Sequence, residues 1–376
     1  MAKNSSDVPA VHKRWFWPGA INGIEGLQLV DAEVERPAAG EGQSPQSPIA
    51  TLTWYADDLL VLVRIHAVSL NYREVVIAGG KYPSISIPEA LTPACDCAGE
   101  VVAVGPGTDR WHVGNRVTSM VYVADISEGM RSSVMGTTMG AGVQGTLMEY
   151  RVFPAHALVR VPDGLSLQDV ATFPCAGTTA YNALFGGAHP LTPGETVVVQ
   201  GTGGVSQFGA QIAYASGAKV IVTSSSDEKL AQIKKLLGDD ETINYKTHPD
   251  WHERVLKLTN GRGAEHVLDV VGGASLSRSL KALTYGGSVS VIGFLDSINS
   301  GINLIDVIAN GANVRGITAG TPNHLRALLR LYEVRKLRPV IARTFEFEQV
   351  KEAMRMLESQ DFIGKIVVNV VGTNDS

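Results

Sequence analysis

The sequence predicts an α/β protein of two domains, in which a β-rich part is joined to a doubly wound parallel sheet. The chain has 376 residues, which is more than one core of about 100–150 residues usually organises. Before Pro174 the apolar runs are mostly β-branched, whereas after it strand-like and helix-like segments alternate. Such alternation is typical of a parallel sheet with helices on both faces.

The first part contains two clear strand patterns and two loops. Leu59–Ser69 and Gly99–Val104 are β-branched runs that end in polar residues, which predicts strands. Residues 37–48 are rich in Pro, Gly and Ser and predict a surface loop. Residues 125–146 hold five glycines and three methionines without a regular period. They predict a long mobile loop, and we favour a substrate lid over a plain surface loop because methionine adapts to apolar ligands.

The second part begins with a βαβ unit. A strand at Val197–Gln200 leads through a glycine turn into a helix and then into a strand at Lys219–Thr223. Further strands are predicted at His266–Val271 and Gly287–Phe294, with helical segments between them. After about residue 318, two amphipathic helices and a final strand, KIVVNVV, complete the pattern.

Charge and composition exclude several classes of protein. Lys and Arg number 32 against 37 Asp and Glu, a net charge of −5 without a basic run, so no nucleic-acid surface is expected. The sequence contains no run of 18 apolar residues, so no membrane-spanning helix is expected. Three cysteines without a secretory segment suit a reducing compartment, so a cytoplasmic location is expected.

The sharpest motif is Gly201-Thr202-Gly203-Gly204-Val205-Ser206, which directly follows a predicted strand and opens a helix. In this context Gly201 permits the tight turn, Gly203 lets the backbone approach a pyrophosphate, and the helix N-terminus offers free N–H groups to phosphates. Ser206 stands where the simplest fingerprint has Gly or Ala, and it is small enough to fit. The motif predicts a dinucleotide cofactor.

The end of the next strand indicates which dinucleotide is bound. An NAD site usually has Asp or Glu there for the ribose 2′-OH. This chain instead has Ser224, Ser225 and Ser226, with Lys229 shortly beyond. Hydroxyls and an ammonium suit a 2′-phosphate, so NADPH is expected, although Ser226 is also placed to be a simple helix N-cap.

Six segments carry a family resemblance: Val68–Pro83, Cys95–Val117, Gly145–Pro154, Phe173–Leu184, Gly201–Gln211 and Thr259–Gly273. Together they resemble the medium-chain dehydrogenase/reductase superfamily, and within it the zinc-independent quinone oxidoreductase and enoyl reductase branch. The resemblance implies a GroES-like catalytic domain made of residues 1–175, to which residues 319–376 return. It also implies a Rossmann domain at residues 176–318 and an active site in the cleft between the two.

The resemblance also implies further cofactor contacts. Thr178 and Thr179 would lie near the nicotinamide, and Tyr245 near the 2′-phosphate. The backbone around Gly293, Phe294 and Leu295 would lie near the carboxamide.

Members of the superfamily differ in whether they bind zinc. Where zinc alcohol dehydrogenases have their first cysteine ligand, this chain has Asn71, and their His-Glu pair corresponds to Cys95-Asp96. Their third ligand falls close to Cys175. We expect no metal here, because no histidine is nearby and cysteine is commonly a small buried hydrophobe. Zinc bound by two thiols and a carboxylate is the alternative.

Without a metal, another group must neutralise the charge that hydride transfer creates. Tyr72 is the candidate proton donor by resemblance to enoyl reductases, and a packed tyrosine ring is the alternative. Asn71 is the candidate for holding the substrate oxygen or the ribose. Arg73 and Glu74 are expected to form an exposed pair.

These observations favour an NADPH-dependent oxidoreductase that reduces an activated C=C bond or a quinone in a small apolar carbonyl-containing substrate. One alternative is a ketone or aldehyde reductase, metal-assisted if the cysteines bind zinc. The other is a binding protein that holds NADPH without turnover. A homodimer is the expected assembly.

Overall fold

The computed structural model describes residues 8–37, 59–83, 85–127, 129–238, 241–293 and 302–371. The loop expected at residues 37–48 lies outside the described residues apart from Pro37, and so do Phe294 and Leu295. Within the described residues, no helix has both the length and the apolar character that a membrane crossing requires.

The described strands and helices follow the predicted order of a β-rich part and an alternating part. The strands are β1 (Val11–Phe16), β2 (Gln28–Glu33), β3 (Leu60–Leu70), β4 (Asp96–Val104), β5 (Arg116–Ser119), β6 (Tyr150–Pro154), β7 (Leu158–Arg160), β8 (Thr196–Gln200), β9 (Lys219–Ser224), β10 (Glu241–Asn244), β11 (Ala264–Asp269), β12 (Leu283–Val291), β13 (Asn313–Gly316), β14 (Ile341–Glu346) and β15 (Lys365–Asn369). The helices are α1 (Tyr72–Ala78), α2 (Leu167–Ala171), α3 (Thr178–Phe185), α4 (Gly204–Ala215), α5 (Asp227–Leu237), α6 (Trp251–Leu258), α7 (Ser275–Lys281), α8 (Leu304–Ala309), α9 (Pro322–Arg335) and α10 (Val350–Ser359).

The second part forms a six-stranded sheet with the order β10-β9-β8-β11-β12-β13. All of its strand pairs are parallel. Counted from β8, this is the 3-2-1-4-5-6 order of the doubly wound dinucleotide-binding fold, so the predicted fold class is confirmed. The short strands β10 and β13 at its two edges were not predicted individually. From β8 the chain first adds strands on one side, β9 and β10, and then on the other side, starting with β11. Ligands of such sheets bind at the carboxyl ends of the strands beside the point where this order reverses, here between β8 and β11.

Both faces of the parallel sheet are buried, which explains why its strands are continuous apolar runs. Along β8, Val197 and Val199 belong to the large core that extends into the β-rich part. Val198 points to the other face, where a second core includes Trp251 of α6 and Leu280 of α7.

The β-rich part forms a seven-stranded sheet with the order β14-β15-β3-β4-β5-β7, and β6 pairs with β3 beside this path. The strands predicted at Leu59–Ser69 and Gly99–Val104 are β3 and β4, and β4 begins three residues earlier than predicted, at Asp96. β15, which comes after the whole parallel sheet in the chain, lies between β14 and β3. The chain therefore returns to its first sheet at the end.

The structure describes residues 125–127 and 129–146 of the expected mobile loop, and they are more regular than a mobile loop. They contain a 3-10 helix at Ser132–Thr137, and Met139 and Ala141 are fully buried. Several of their apolar side chains are thus part of the core, which a freely mobile loop does not allow. A lid function stays a prediction.

Candidate active site

The glycine turn joins β8 to α4 as the motif predicts. Gly201 has a φ of 75°, a left-handed conformation that favours glycine. A Cβ added at Gly203 would meet no atom within 4 Å, so the backbone there is open to a ligand. Ser206 is buried and its hydroxyl donates to the Gln200 carbonyl at 2.7 Å, which explains how serine replaces the third small residue. The turn and the N-terminus of α4 fit the pyrophosphate of a dinucleotide.

The close helix-to-strand approach is provided three residues later by Gly209. A Cβ at Gly209 would lie 2.5 Å from a Leu268 methyl carbon of β11. Gly204, in contrast, makes room for a side chain of the other domain, because its Cβ would lie 2.5 Å from Cδ of Lys365 in β15. The same contact is extended by the Gly364 N–H, which donates to the Thr202 carbonyl at 3.0 Å.

The residues predicted to select the cofactor lie at the carboxyl ends of β9 and β10. Ser224 is the last residue of β9, and its carbonyl accepts the Tyr245 N–H at 3.0 Å. Tyr245 is exposed and Ser225 half-buried. The Ser226 hydroxyl accepts the Lys229 N–H and donates to Glu228, so Ser226 is the N-cap of α5, as the alternative interpretation held.

Lys229 lies at the rim between the two domains. Its Nζ donates to the Gln360 carbonyl at 3.0 Å and lies 3.4 Å from Oδ1 of Asp361, whose side chain is 88% exposed. An ion pair with such an exposed partner contributes about 1 kcal/mol or less. Lys229 is therefore held weakly and can exchange Asp361 for another anion.

Three further described residues, Thr178, Thr179 and Gly293, were predicted to contact the cofactor. Thr178 opens α3, and its hydroxyl donates to the Pro174 carbonyl. Thr179 is also buried. Gly293 follows β12, where a Cβ would lie 2.3 Å from the Val270 carbonyl oxygen. Thr178 thus already uses its hydroxyl in the fold.

Six side chains meet where the two domains touch, and we call them the junction cluster. They are Asn71, Arg73, Cys95, Asp96, Cys175 and Lys365. Asn71 and Arg73 lie on either side of the first residue of α1, Cys95 and Asp96 at the start of β4, and Cys175 in a π-helical turn before α3. Such turns often occur at functional sites.

Asn71 is held at both ends of its amide. Its Nδ2 donates to Asp96 Oδ2 at 3.0 Å, and its Oδ1 accepts from Lys365 Nζ. Lys365 also donates to the Leu70 carbonyl at 2.7 Å and lies 3.7 Å from Asp96 Oδ2. These bonds fix the orientation of Asn71 and leave little of its amide for a substrate.

The two cysteines and Asp96 are close enough to share an ion, since their ligand atoms all lie within 4.8 Å of one another. Burial raises the pKa of the Cys95 thiol, and its hydrogen bond with Cys175 and the Asp96 charge raise it further. Cys95 Sγ donates to Asp96 Oδ1 at 3.3 Å. Burial also raises the pKa of Asp96, an effect that Lys365 and Asn71 oppose. The Cys95 thiol thus keeps its proton and donates it to one Asp96 oxygen, while the Asn71 amide donates to the other.

Arg73 and Glu74 do not form the expected exposed pair, because their side chains are only 10% and 0% exposed. Arg73 Nη1 donates to the Met139 carbonyl at 2.8 Å and lies 3.7 Å from Glu74 Oε1. The guanidinium stacks on Tyr82, 5.3 Å from the ring centre. Its Nε and Nη2 are buried and hydrogen-bond to no residue that the structure describes. Arg73 therefore has unused donors beside the two cysteines.

The charges around Arg73 keep it protonated. Burial lowers the pKa of Arg73, but the nearby acidic groups, Cys95 and Glu74 first, more than offset this and hold it above its ordinary value. Glu74 is less strongly acidic, since burial raises its pKa to about 7 despite the neighbouring guanidinium. The junction cluster thus contains a permanent buried cation.

Tyr72 lies differently from its neighbours. It opens α1 and is 37% exposed, and its hydroxyl has no hydrogen-bond partner among the described residues. The ring is thus not packed inside the core, which was the alternative interpretation. The side chain is partly open to solvent, and its catalytic role stays a prediction.

Sequence reasoning missed the buried positions of three charged residues at the site, Lys365, Arg73 and Glu74. Lys365 starts an apolar strand, and a lysine at such a position is itself a signal, because lysine is almost never fully buried without a partner. The local sequence predicts that Arg73 and Glu74, in the first turn of α1, form an ordinary surface ion pair. Its burial depends on Met139 and Tyr82, which lie elsewhere in the chain.

Comparison with protein families gives two matches that cover most of the chain. Residues 57–163 match the alcohol dehydrogenase GroES-like domain. Residues 204–333 match the zinc-binding dehydrogenase family. The β-rich part is thus GroES-like, as predicted.

Comparison with individual proteins agrees. A zinc-type alcohol dehydrogenase-like protein of Schizosaccharomyces pombe is 40% identical over 82% of this chain and 90% of its own length. An acryloyl-coenzyme A reductase of Metallosphaera sedula is 26% identical over 92% of this chain and 96% of its own. A crystal structure of an NAD-dependent alcohol dehydrogenase, 30% identical, superposes with a TM-score of 0.80 over 96% of this chain and all of that one. With two sheets of the predicted types and an open glycine turn beside the junction cluster, the chain belongs to the medium-chain dehydrogenase/reductase superfamily of oxidoreductases.

Proposed function

We propose that this oxidoreductase uses NADPH to reduce an activated C=C bond, or a quinone, in a small apolar carbonyl-containing substrate without zinc. The observation that carries the proposal is the buried guanidinium of Arg73, with two nitrogens unpartnered among the described residues, beside Cys95 and Cys175. Fixed donors aimed at developing negative charge are a large source of catalysis in a site shielded from water. Arg73 occupies the neighbourhood in which zinc-dependent relatives would need a metal.

Arginine favours reduction of a conjugated C=C bond over reduction of a ketone. When a hydride reaches the β-carbon of an enone, negative charge moves to the carbonyl oxygen, and a guanidinium can bind that enolate without giving up a proton. Ketone reduction requires a proton at the oxygen itself, and arginine does not donate protons at working pH. The α-carbon still needs a proton, for which the hydroxyl of the partly exposed Tyr72 is our candidate. Asn71 is proposed as a positioning residue for this region.

Zinc does not fit the junction cluster well. Cysteine must be a thiolate to bind zinc, whereas burial raises the pKa of Cys95. Both Asp96 oxygens already accept hydrogen bonds, from Cys95 and Asn71. A divalent ion would also lie close to the guanidinium of Arg73, which repels it. Two thiols and a carboxylate are suitable ligand types, but their surroundings favour a metal-free site.

Prolonged treatment of the purified protein with a chelator should therefore leave its reductase activity unchanged. The measurement is the NADPH-dependent rate before and after chelation, and after zinc is added back. If chelation abolishes activity and zinc restores it, the site is metal-assisted. Cys95, Asp96 and Cys175 would then be the ligands to substitute, and ketone reduction would become the favoured function.

Several features of the nucleotide edge support NADPH over NAD, the cofactor in the name of the 30%-identical alcohol dehydrogenase; a structurally similar crotonyl-CoA carboxylase/reductase was solved in complex with NADP. No carboxylate ends β9, where the chain has Ser224 followed by Ser225. The Tyr245 N–H donates to the Ser224 carbonyl and the Lys229 N–H to the Ser226 hydroxyl, so the backbone of both residues lies near the same strand end. A bound NADPH would supply the hydride, with its pyrophosphate on the turn Gly201–Gly204 and its 2′-phosphate near this strand end.

We expect NADPH to be preferred over NADH in kcat/KM, and Lys229→Ala to raise KM for NADPH by about 10-fold or more, the effect of losing one charge-assisted hydrogen bond. KM for NADH should not change. Lys235→Ala, on the exposed face of the same helix, is the matched control. Equal use of both cofactors by the unaltered protein would refute the NADPH assignment.

The proposed function is tested by measuring NADPH consumption with enones, enoyl thioesters, quinones, ketones and aldehydes. We expect turnover of the conjugated substrates and quinones, with ketones much slower. Turnover of ketones alone would favour the alcohol dehydrogenase alternative. Binding of NADPH without turnover of any class would mean that the chain has lost the chemistry of its superfamily.

A homodimer and a cytoplasmic location stay predictions. The dimer is supported by the exposed apolar side chains Leu304, Ile305 and Ile308 of α8, since monomeric proteins rarely leave large apolar patches to solvent. The three unpaired cysteines suit a reducing compartment.

A further inference from the structure

A second cluster of ligand-type side chains lies in the nucleotide-binding domain, away from the glycine turn. It consists of His189, Glu195 and His266, which we call the distal site. Glu195 directly precedes β8, and His266 lies in β11 opposite Val197 of β8. The glycine turn follows the other end of β8, and five strand residues span roughly 17 Å. The distal site is therefore separate from the cofactor edge.

The distances within the distal site suit a metal ion. His189 Nε2 lies 2.7 Å from Glu195 Oε1, and His266 Nε2 lies 3.4 Å from Glu195 Oε2. One ligand atom of each residue lies within 4.8 Å of those of the others. Neighbouring ligands of a tetrahedral zinc ion with bonds of about 2.0–2.1 Å are about 3.3 Å apart. Small side-chain rotations would produce that spacing.

His266 gives an independent indication of a missing partner. It is 1% exposed; its Nδ1 has no hydrogen-bond partner in the described part of the chain, and its Nε2 makes only the long 3.4 Å contact with Glu195 Oε2. A buried polar group without a hydrogen-bond partner destabilises the folded state by about 1–3 kcal/mol, so native proteins usually give such groups a partner. The ring of His189 packs edge-on against that of His266, with 5.3 Å between centroids, which brings two imidazoles to one carboxylate.

We propose that His189, Glu195 and His266 bind a divalent transition-metal ion, with zinc the best match to two imidazoles and one carboxylate. The His189 side chain is 38% exposed and that of Glu195 15%. Solvent can therefore reach the site, deliver the ion and supply a water as fourth ligand. The ion would connect the segment between α3 and β8 to β11 and stabilise the nucleotide-binding domain. This proposal does not depend on the proposed function.

The test uses full-length, tag-free protein that has been stripped with a chelator and then titrated with Co²⁺ or Zn²⁺. We expect one ion per chain, a rise in Tm of at least about 2 °C, and weak visible cobalt bands without the intense thiolate-to-metal absorption of a cysteine site. His189→Ala and Glu195→Gln should each weaken binding by more than about 100-fold, beyond the usual cost of losing a supporting hydrogen bond. His112→Ala, which removes an exposed histidine elsewhere, should bind as the unaltered protein does.

The controls separate this site from the junction cluster. Cys175→Ser should leave cobalt binding and its spectrum unchanged. A thiolate absorption that Cys175→Ser removes, or binding that survives both His189→Ala and Glu195→Gln, would overturn the proposal. These two residues are chosen because they are partly exposed and their variants should fold, unlike those of the buried His266. Loss of the distal ion should leave NADPH-dependent turnover unchanged, so failure here and failure of the proposed function give different results.

Discussion

The double variant Arg73→Met with Glu74→Gln is expected to have a kcat about 100 to 1000-fold below that of the unaltered enzyme, the usual effect of removing one preorganised donor from an oxyanion site. Its Kd for NADPH should not change, because Arg73 contacts Met139, Tyr82 and Glu74 rather than the glycine turn. Steady-state kinetics with an enone and equilibrium binding of NADPH measure the two quantities separately.

Glu74→Gln is included because the Glu74 side chain is fully buried beside Arg73. Arg73→Met alone would leave Glu74, which is fully buried, without its cation, and an uncompensated buried charge is strongly destabilising. Glu74→Gln is therefore the reference for the double variant, with Tm recorded for both. Arg73→Lys keeps a charge but not the planar fork and should have an intermediate rate. A kcat of the double variant within about threefold of the Glu74→Gln reference would assign Arg73 to folding alone, since donors that matter cost far more.

Tyr72→Phe should lower kcat by about 100-fold or more, the lower end of what a general acid contributes. The reason is that the enolate must gain a proton at its α-carbon, and a phenol held within hydrogen-bond reach, directly or through a water, can supply it. NADPH binding should be unaffected. If water takes over the protonation, the rate falls less, but the α-carbon should then lose its stereochemical purity, which NMR of the product in deuterated solvent would show.

Tyr285→Phe is the matched control for this experiment, because Tyr285 is 80% exposed on β12 of the nucleotide-binding sheet. It should have the kinetics of the unaltered enzyme. Unchanged rate and unchanged stereochemistry in Tyr72→Phe would remove Tyr72 from the mechanism. Asn71 and the segment at residues 125–146 would then be the next places to search for the proton donor.

The parts of the fold that were predictable depend on short stretches of sequence. The strand before the glycine turn, the turn itself and the helix after it all lie within Thr196–Ala215, so periodicity and glycine chemistry are sufficient to identify them. The parallel sheet follows because alternating strands and helices admit few arrangements. The edge strands β10 and β13 are only four residues long and give too little periodicity to be recognised.

The chemistry of the junction cluster was harder to predict, because it depends on contacts between distant parts of the chain. The Lys365 ammonium donates to the Leu70 carbonyl, 295 residues earlier, and the Arg73 guanidinium donates to the Met139 carbonyl, 66 residues later. Charged residues are usually exposed, so a local pattern assigns both to the surface. Only the assembled domains show that their charges are buried beside Asp96 and Cys95.

The position of β15 has a consequence for how this protein folds during its synthesis. β6 pairs with Leu60–Arg64 of β3, whereas the rest of that edge, Ala67–Leu70, pairs with β15. At about 5–20 residues per second, the ribosome needs roughly 15–60 s to make the 295 residues that separate Leu70 from Lys365. The nucleotide-binding strands lie inside this interval and can complete their sheet first. Meanwhile an apolar strand edge of the catalytic domain stays open to wrong pairing, so the nascent chain is expected to need a chaperone most during this period.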